Sequence, residues 1–389
     1  STRMGDADLV QIVERAADDL GAYLHIPFCE AVCPYCDFAV VAGRDEEVSR
    51  YLTAVTAEIN GSDHVGLVDA VFVGGGTPSR VSGLAGLVGA LEERHGLAPD
   101  AEVTLEANPE DWTDGKAEEL RTAGFTRVSF GAQSYDPMVL EYLGRRHSPN
   151  QIDAAVDSVR RTGFESVSID LIFGSPVESD ASWERTLGRA LEASPDHVST
   201  YALTVERGTE LSRLVIGGAP APDPDVQAGR YEIAQAILQD AGYRRYEVSN
   251  YARPGHECRY NLIAWAQGEY LAFGMGAHGH LDGIRFRNVR KLDAYLDAVE
   301  RGVSPRAGQE SIMTGDPGLG NALDEERVVL GLRRSSGVVL DDVATAFVAS
   351  SAGIRLVEAG VITAREGRLV ILKPLLTDEV CSSFLASRS

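Results

Sequence analysis

Between Ala22 and Leu203 the sequence alternates short apolar runs with amphipathic stretches. The apolar runs are Ala22–Ile26, Ala70–Val73, Val103–Ala107, Arg127–Gly131, Ser166–Ile172 and His197–Leu203. Between them lie helical patterns, among them Glu46–Ile59, Leu84–Arg94, Gly115–Thr122, Gln151–Thr162 and Trp183–Glu192. Short strands alternating with helices predict a parallel sheet, because parallel neighbours need a long crossover and helices supply it. Six such units predict an α/β fold whose strands curl into a partial (β/α)6 barrel. An open doubly wound sheet fits the same alternation.

The flanks read differently. Asp8 to Leu20 predicts a helix, so residues 1–20 form an N-terminal helical segment. The barrel with its extension then spans 21–301, including a Gly/Pro/Asp-rich loop at Ile216–Asp225, a helix at Val226–Ala241 and a strand at Tyr243–Val248. Residues 302–320 are polar and Gly/Pro-rich and read as a linker. Residues 321–389 show two helices and a strand at Arg368–Leu372, the pattern of a small α+β, winged-helix-like domain.

Composition removes several functions. Asp and Glu number 58 against 36 Lys and Arg, a net charge of −22. Phosphate backbones bind basic faces, so this balance argues against a nucleic-acid partner. No apolar run reaches the roughly 18 residues of a membrane span. The N-terminus lacks a signal-peptide layout, and reduced cysteines point to the cytoplasm.

The chemistry centres on Cys29, Cys33 and Cys36, spaced C-x3-C-x2-C directly after the first strand. Three thiolates can hold three irons of a [4Fe–4S] cluster and leave the fourth open. A structural zinc site closes its shell with four ligands, and ferredoxin runs also supply four thiolates. A disulfide framework belongs to small secreted chains. Gly74, Gly75, Gly76 and Thr77 follow the second strand and offer bare backbone groups at close approach. Polar groups recur at later strand ends: Glu106 on the third, Gln133 after the fourth and Asp170 in the fifth, with Arg145 after the next helix. In a barrel those ends share one mouth, where barrel active sites lie.

These runs resemble the radical S-adenosylmethionine (SAM) superfamily: Tyr23-Leu-His-Ile-Pro-Phe-Cys29, the cysteine spacing, Gly74-Gly-Gly-Thr77, Glu106-Ala-Asn-Pro109 and Asp170-Leu-Ile-Phe-Gly174. The likeness is closer to its coproporphyrinogen oxidase-like branch. The runs 201–209 and 246–259 are similar to the HemW-type haem-chaperone subgroup. The resemblance implies that Cys29, Cys33 and Cys36 ligate the cluster and that Tyr23 and Tyr35 flank cluster and SAM. It implies that Gly75, Gly76 and Thr77 take the methionine amino end, that Glu106, Gln133, Arg145 and Asp170 hold the carboxylate and ribose, and that Ala202 lines the adenine pocket. The chemistry implied is one-electron cleavage of SAM to a 5′-deoxyadenosyl radical. The cofactors carry that step while the protein orients them and excludes water.

Oxidase and chaperone differ two residues beyond the last ligand. The oxidase branch has a fourth cysteine there; this chain has Phe38, like the chaperones. The chaperone subgroup also has an H-N-x-x-Y-W motif associated with haem. Here Asn261 and Trp265 match it, while Tyr260 and Ala264 replace the His and Tyr. Tyrosinate can ligate haem iron, as can imidazole, so Tyr260, Asn261, Trp265 and His278 are the haem candidates. Arg285, Arg287, Arg290 and Lys291 form the densest basic cluster and suit porphyrin propionates. The implied function is a haem chaperone that binds haem and delivers it to an acceptor protein. The alternatives are oxidative decarboxylation of coproporphyrinogen III or radical chemistry on another substrate. An electron donor such as a flavodoxin or ferredoxin is a further expected partner.

Overall fold

The computed structural model describes residues 6–64, 66–311 and 322–388. Six strands form the barrel wall: β1 (Leu20–Ile26), β2 (Val68–Gly75), β3 (Leu97–Ala107), β4 (Arg127–Gln133), β5 (Ser166–Phe173) and β6 (His197–Ala202). They pair in chain order, each parallel to the next. Helices Val48–Asn60, Leu84–His95, Asp114–Thr122, Pro149–Thr162 and Asp180–Glu192 connect them, and Pro224–Asp240 follows β6.

Strand periodicity decides which side chains face the helices. In β5, Val167, Ile169, Leu171 and Phe173 are buried in the main apolar core. The alternate positions Ser168 and Asp170 turn to the inner face, since successive side chains of a strand point to opposite sides. β1 repeats the rule, with Ala22, Leu24 and Ile26 outward in that core and Tyr23 and His25 inward. The barrel is therefore oily between sheet and helices and polar inside.

Caps explain why several helices start earlier than apolar periodicity predicts. The Thr113 side chain accepts from Lys116 N, and the Ser179 side chain accepts from Ser182 N. Ser148 and Gln151 form a reciprocal capping box ahead of Pro149. Each satisfies backbone donors that the first turn leaves open.

The sheet continues on both sides of the six strands. Beside β1 lies β7 (Glu269–Phe273), also parallel to it. Next come β8 (His278–Leu281), β9 (Ile284–Asn288) and β10 (Arg306–Ser311), all antiparallel. Beyond β6 run two short antiparallel strands, Asn250–Ala252 and Arg244–Arg245. Barrel and extensions thus form one mixed sheet of twelve strands whose two edges do not pair among the described residues.

The foot of the barrel is plugged by the helix Arg259–Trp265. Arg259 meets Asp19 at 2.8 Å and Asp69 at 3.1 Å, beside the starts of β1 and β2. A Cβ at Gly21 would sit 3.1 Å from the Tyr260 ring, so glycine lets this helix approach without a shift of the ring. Arg127, 2% exposed, faces Glu102 at 3.6 Å and donates to His256 O at 2.9 Å.

The tail has its own core, including Val328, Leu332, Phe347, Leu369, Val380 and Phe384. Its helices Ala322–Arg333, Asp342–Ala349, Ser351–Glu358 and Thr377–Ala386 pack with a three-stranded antiparallel sheet. It docks on the barrel through Glu326 to Arg285 at 2.9 Å and Arg333 over the Trp265 ring at 5.2 Å.

Three sequence expectations change. The first helix is Asp6–Ala16, and Leu20 already belongs to β1 because its N–H is held by Asp69 at 2.8 Å. The expected strand at 243–248 shrinks to Arg244–Arg245 and a single bridge from Glu247 to Arg334, with Tyr243 and Tyr246 buried as anchors. The expected linker at 302–320 contains Arg306–Ser311, an edge strand on β9, while 312–321 lies outside the described residues. Among the described residues no helix is long and apolar enough to cross a membrane.

Candidate functional site

At the barrel mouth the strand ends and the cysteine loop enclose a cavity of 390 Å³. That volume suits a small-molecule cofactor. Phe28–Cys29 pairs with Val41–Ala42, which closes the intervening loop and turns Cys29, Cys33 and Cys36 onto the cavity wall. All three are free thiols, partly accessible. Burial pushes the Cys29 thiol up and Cys36 up to about 11, and the neighbouring thiols add to both shifts. Desolvation is the larger cause at both, and the Arg145 and Arg80 charges oppose it at Cys29. Among the described residues no three metal-ligating side chains converge as one ion requires. Three thiols without disulfide partners on one cavity wall are a donor set that fits a [4Fe–4S] cluster.

The glycines are required by packing. A Cβ on Gly74 would meet Glu106 Oε2 at 2.7 Å, and one on Gly75, at φ +118°, would meet the His25 ring at 2.5 Å. Their absence lets Gly75 N donate to Glu106 at 2.9 Å. Full burial, with Asp170 nearby, pushes Glu106 up to about 7. Asp170 accepts from Ser199 at 2.6 Å, Ser129 at 2.9 Å and Ser168 at 3.3 Å, yet burial still raises its carboxyl. His25, pushed down to about 4 by burial, joins Tyr23 to the carbonyl of Ala39 at 2.8 Å.

Arg145 reaches across the loop. It donates to Gly131 O at 3.0 Å and approaches Cys33 Sγ at 3.6 Å, while its buried Nε has no protein partner. Thr77 approaches Cys29 Sγ at 3.5 Å. Burial raises Tyr35, with the Arg145 charge opposing. Gln133 takes a left-handed φ of 62°, a strained choice for a residue with a Cβ and one common at ligand clamps.

The structure gathers Cys29, Cys33, Cys36, Tyr35, Gly75, Gly76, Thr77, Glu106, Gln133, Arg145, Asp170 and Ala202 around this one cavity. Tyr23 is not on its wall; the ring lies deeper, stacked on Phe72 at 6.2 Å and 6.1 Å from Tyr260. Sequence reasoning missed Asn108, which accepts from Arg145 and donates to Thr77 at 3.4 Å. It also missed the serines around Asp170. The signal was available: Asn108 is two residues after Glu106, and Ser168 two before Asp170, so each pair shares an inner face.

The four haem candidates are not gathered. Tyr260 packs in the foot with Tyr23, Phe72 and Tyr270, and Trp265 lies under Arg333 of the tail. Asn261 sits on the same plug helix. His278 is exposed on β8, opposite Arg287 of β9. The basic cluster divides too: Arg285 is held by Glu326 and Tyr270, while Arg290 donates to Asp37 O at 2.7 Å.

Residues 23–190 match the Radical SAM superfamily. The fold matches coproporphyrinogen III oxidase (HemN) of Escherichia coli at a TM-score of 0.80 and 23% identity, over 99% of this chain and 94% of that one. Barrel, thiol trio and match define a radical SAM fold, and that superfamily implies a [4Fe–4S] cluster and SAM as cofactors. The heme chaperone HemW of Mycobacterium tuberculosis is 42% identical over 350 residues, 87% of each chain. That of Bacillus subtilis is 34% identical over 379 residues, 94% of this chain and 98% of the relative. The chain belongs to the HemW family.

Proposed function

We propose that this chain is a haem chaperone of radical SAM type, which holds a [4Fe–4S] cluster and SAM at the barrel mouth, binds haem and passes it to an acceptor protein. The observation that carries this reading is Phe38. It stands two residues past Cys36, where the oxidase branch has its fourth cysteine, and is 65% exposed on the cavity rim. That position offers a flat apolar ligand a landing surface and gives a porphyrinogen oxidase no sulfur. The Mycobacterium tuberculosis and Bacillus subtilis relatives bear the same assignment in their names.

Each lining residue has a role its chemistry permits. Cys29, Cys33 and Cys36 hold the cluster, with Thr77 and Arg145 donating toward two of the sulfurs. Arg145 takes the SAM carboxylate, for a guanidinium pairs with carboxylate in forked geometry. Glu106 cannot serve a second carboxylate, so it takes the ammonium with the Gly75–Thr77 backbone. Asp170 and Gln133 accept the ribose hydroxyls, and Ala202 leaves room for adenine. When bound, the cluster supplies the electron that a sulfonium can accept. Tyr35 and the loop around it keep water from the sulfur ligands.

Haem belongs on the outer rim in this reading. His278 offers an accessible imidazole, and Arg287 and Arg290 offer guanidiniums to propionates. The Arg290 bond to Asp37 O ties that face to the Phe38 loop. Tyr260 is then a structural aromatic. Anaerobic reconstitution followed by a haem titration tests the proposal. Soret absorbance saturating at one haem per chain, weakened by His278→Ala and kept in Tyr260→Phe, is expected. No uptake at micromolar haem, or a vinyl-bearing product from coproporphyrinogen III with reduced cluster and SAM, would overturn it.

A further inference from the structure

A second cavity, of 1010 Å³, lies at the foot of the barrel where the tail docks. Arg244 and Arg245 line it from the barrel side, and Ser335, Ser336, Arg365 and Arg368 from the tail. This concentration stands out in a chain with 36 basic residues against 58 acidic ones. Arg365 and Arg368 are direct cross-strand partners in the tail hairpin, an arrangement in which like charges repel.

Two guanidiniums at this face, Arg368 and Arg334, are held by backbone carbonyls. Arg368 donates to Ser336 O at 2.6 Å and to Gly337 O at 3.1 Å. Arg334 reaches the same Gly337 carbonyl at 3.3 Å, so two guanidiniums share one acceptor. Burial, with Arg368 and Arg327 close by, pushes Arg334 down to about 10. Ser336 is 8% exposed and its hydroxyl has no partner; the Ser335 hydroxyl and Arg334 Nε also lack one. Buried donors are normally paired, so such a group of orphans beside crowded cations calls for an acceptor. Three carboxylates share the wall: Glu14, Asp240 and Glu366. Glu14 already meets Arg368 at 3.6 Å, and the other two are exposed.

We infer that this cavity binds a phosphate-class polyanion, held between the guanidiniums of Arg245, Arg365 and Arg368 and the hydroxyls of Ser335 and Ser336. Guanidinium forks and hydroxyl donors match phosphate oxygens. The site is separate from the cluster cavity at the mouth. Because its walls come from both barrel and tail, the anion staples the two together.

The test is calorimetric titration of the full chain with inorganic phosphate, pyrophosphate and ATP at constant ionic strength. Saturable binding is expected, tighter for pyrophosphate than for phosphate. Ser336→Ala and Arg365→Gln should each weaken it about tenfold, roughly 1.4 kcal/mol, with cluster absorbance unchanged. Bound pyrophosphate should also slow proteolytic separation of tail from barrel. ATP binding more tightly than pyrophosphate would identify a nucleotide ligand, and equal affinity the phosphate groups alone; both support the site. No saturable heat up to ~10 mM, or equal affinity in wild type and both variants, overturns it. If either variant loses its thermal transition, Arg245→Gln replaces it.

Discussion

The two ends of the barrel are built from the same strands by opposite means. Around the plug helix at the foot, guanidiniums meet carboxylates: Arg259 meets Asp19 and Asp69, and Arg127 meets Glu102. An aromatic group of Tyr23, Phe72, Tyr260 and Tyr270 fills the space above. At the mouth, charge is left open: three thiols without disulfide partners, an Arg145 Nε without an acceptor and two buried carboxyls side by side. Stability is concentrated where polar groups satisfy each other, and ligand chemistry where they do not.

The largest expected effect falls on the thiols. Replacing Cys29, Cys33 or Cys36 with serine should abolish the bound cluster, seen as loss of visible absorbance and iron after anaerobic reconstitution, with thermal unfolding little changed. Retained iron would erase the contrast between the two ends. At the foot, Arg127→Met should do the reverse. It removes the guanidinium that donates to the His256 carbonyl and the Ser166 hydroxyl and faces half-buried Glu102, and should cost about 1–3 kcal/mol in urea unfolding, while the lining of the mouth stays intact. A change under 1 kcal/mol would show the foot ion pairs to be dispensable.

Asp170→Asn sharpens the comparison from the mouth side. The amide oxygen still accepts from Ser199 and Ser168, its NH2 can donate to the Ser129 hydroxyl, and the charge is lost, so SAM affinity should fall roughly tenfold or more, about 1.4 kcal/mol. Folding stability should hold or rise, since the buried carboxylate was itself disfavoured. Glu106 gives the pH signature. Its folded value of about 7 stands above the ordinary 4.5, so between these values the folded chain binds more protons than the unfolded one. Its contribution is therefore fully present at pH 4.5 and lost as pH rises through 7. Urea unfolding at pH 5 and pH 8 should show a fall on the order of 1–3 kcal/mol, flattened in Glu106→Gln. The smallest effect is Tyr260→Phe, expected to change stability by less than ~1 kcal/mol, because the ring packing is kept.

Much of the mouth was legible in sequence because spacing carries it. The cysteine run, the glycine turn and polar residues at successive strand ends each mark a place on the inner face. Period-two alternation turns Glu106 and Asp170 inward without reference to anything distant. What was not legible depends on contacts between elements far apart in the chain. Tyr260 and His278 are near neighbours in sequence, but a plug helix at one end and an outer strand at the other separate them. The linker reading of 302–320 failed at Arg306–Ser311 because an edge strand needs only a partner, here β9, and no apolar run of its own. The serines around Asp170 are ordinary small residues until the parallel register of β4, β5 and β6 aligns them.

The central claim is an iron corner left open beside a cavity shaped for SAM. Electron paramagnetic resonance of the reduced, anaerobically reconstituted protein, recorded before and after SAM addition, tests it most directly. Iron and sulfide should match one [4Fe–4S] cluster per chain, and SAM should shift the signal, with the shift lost in Asp170→Asn at the same SAM concentration. A cluster whose spectrum ignores SAM, or a chain that assembles none, contradicts the account.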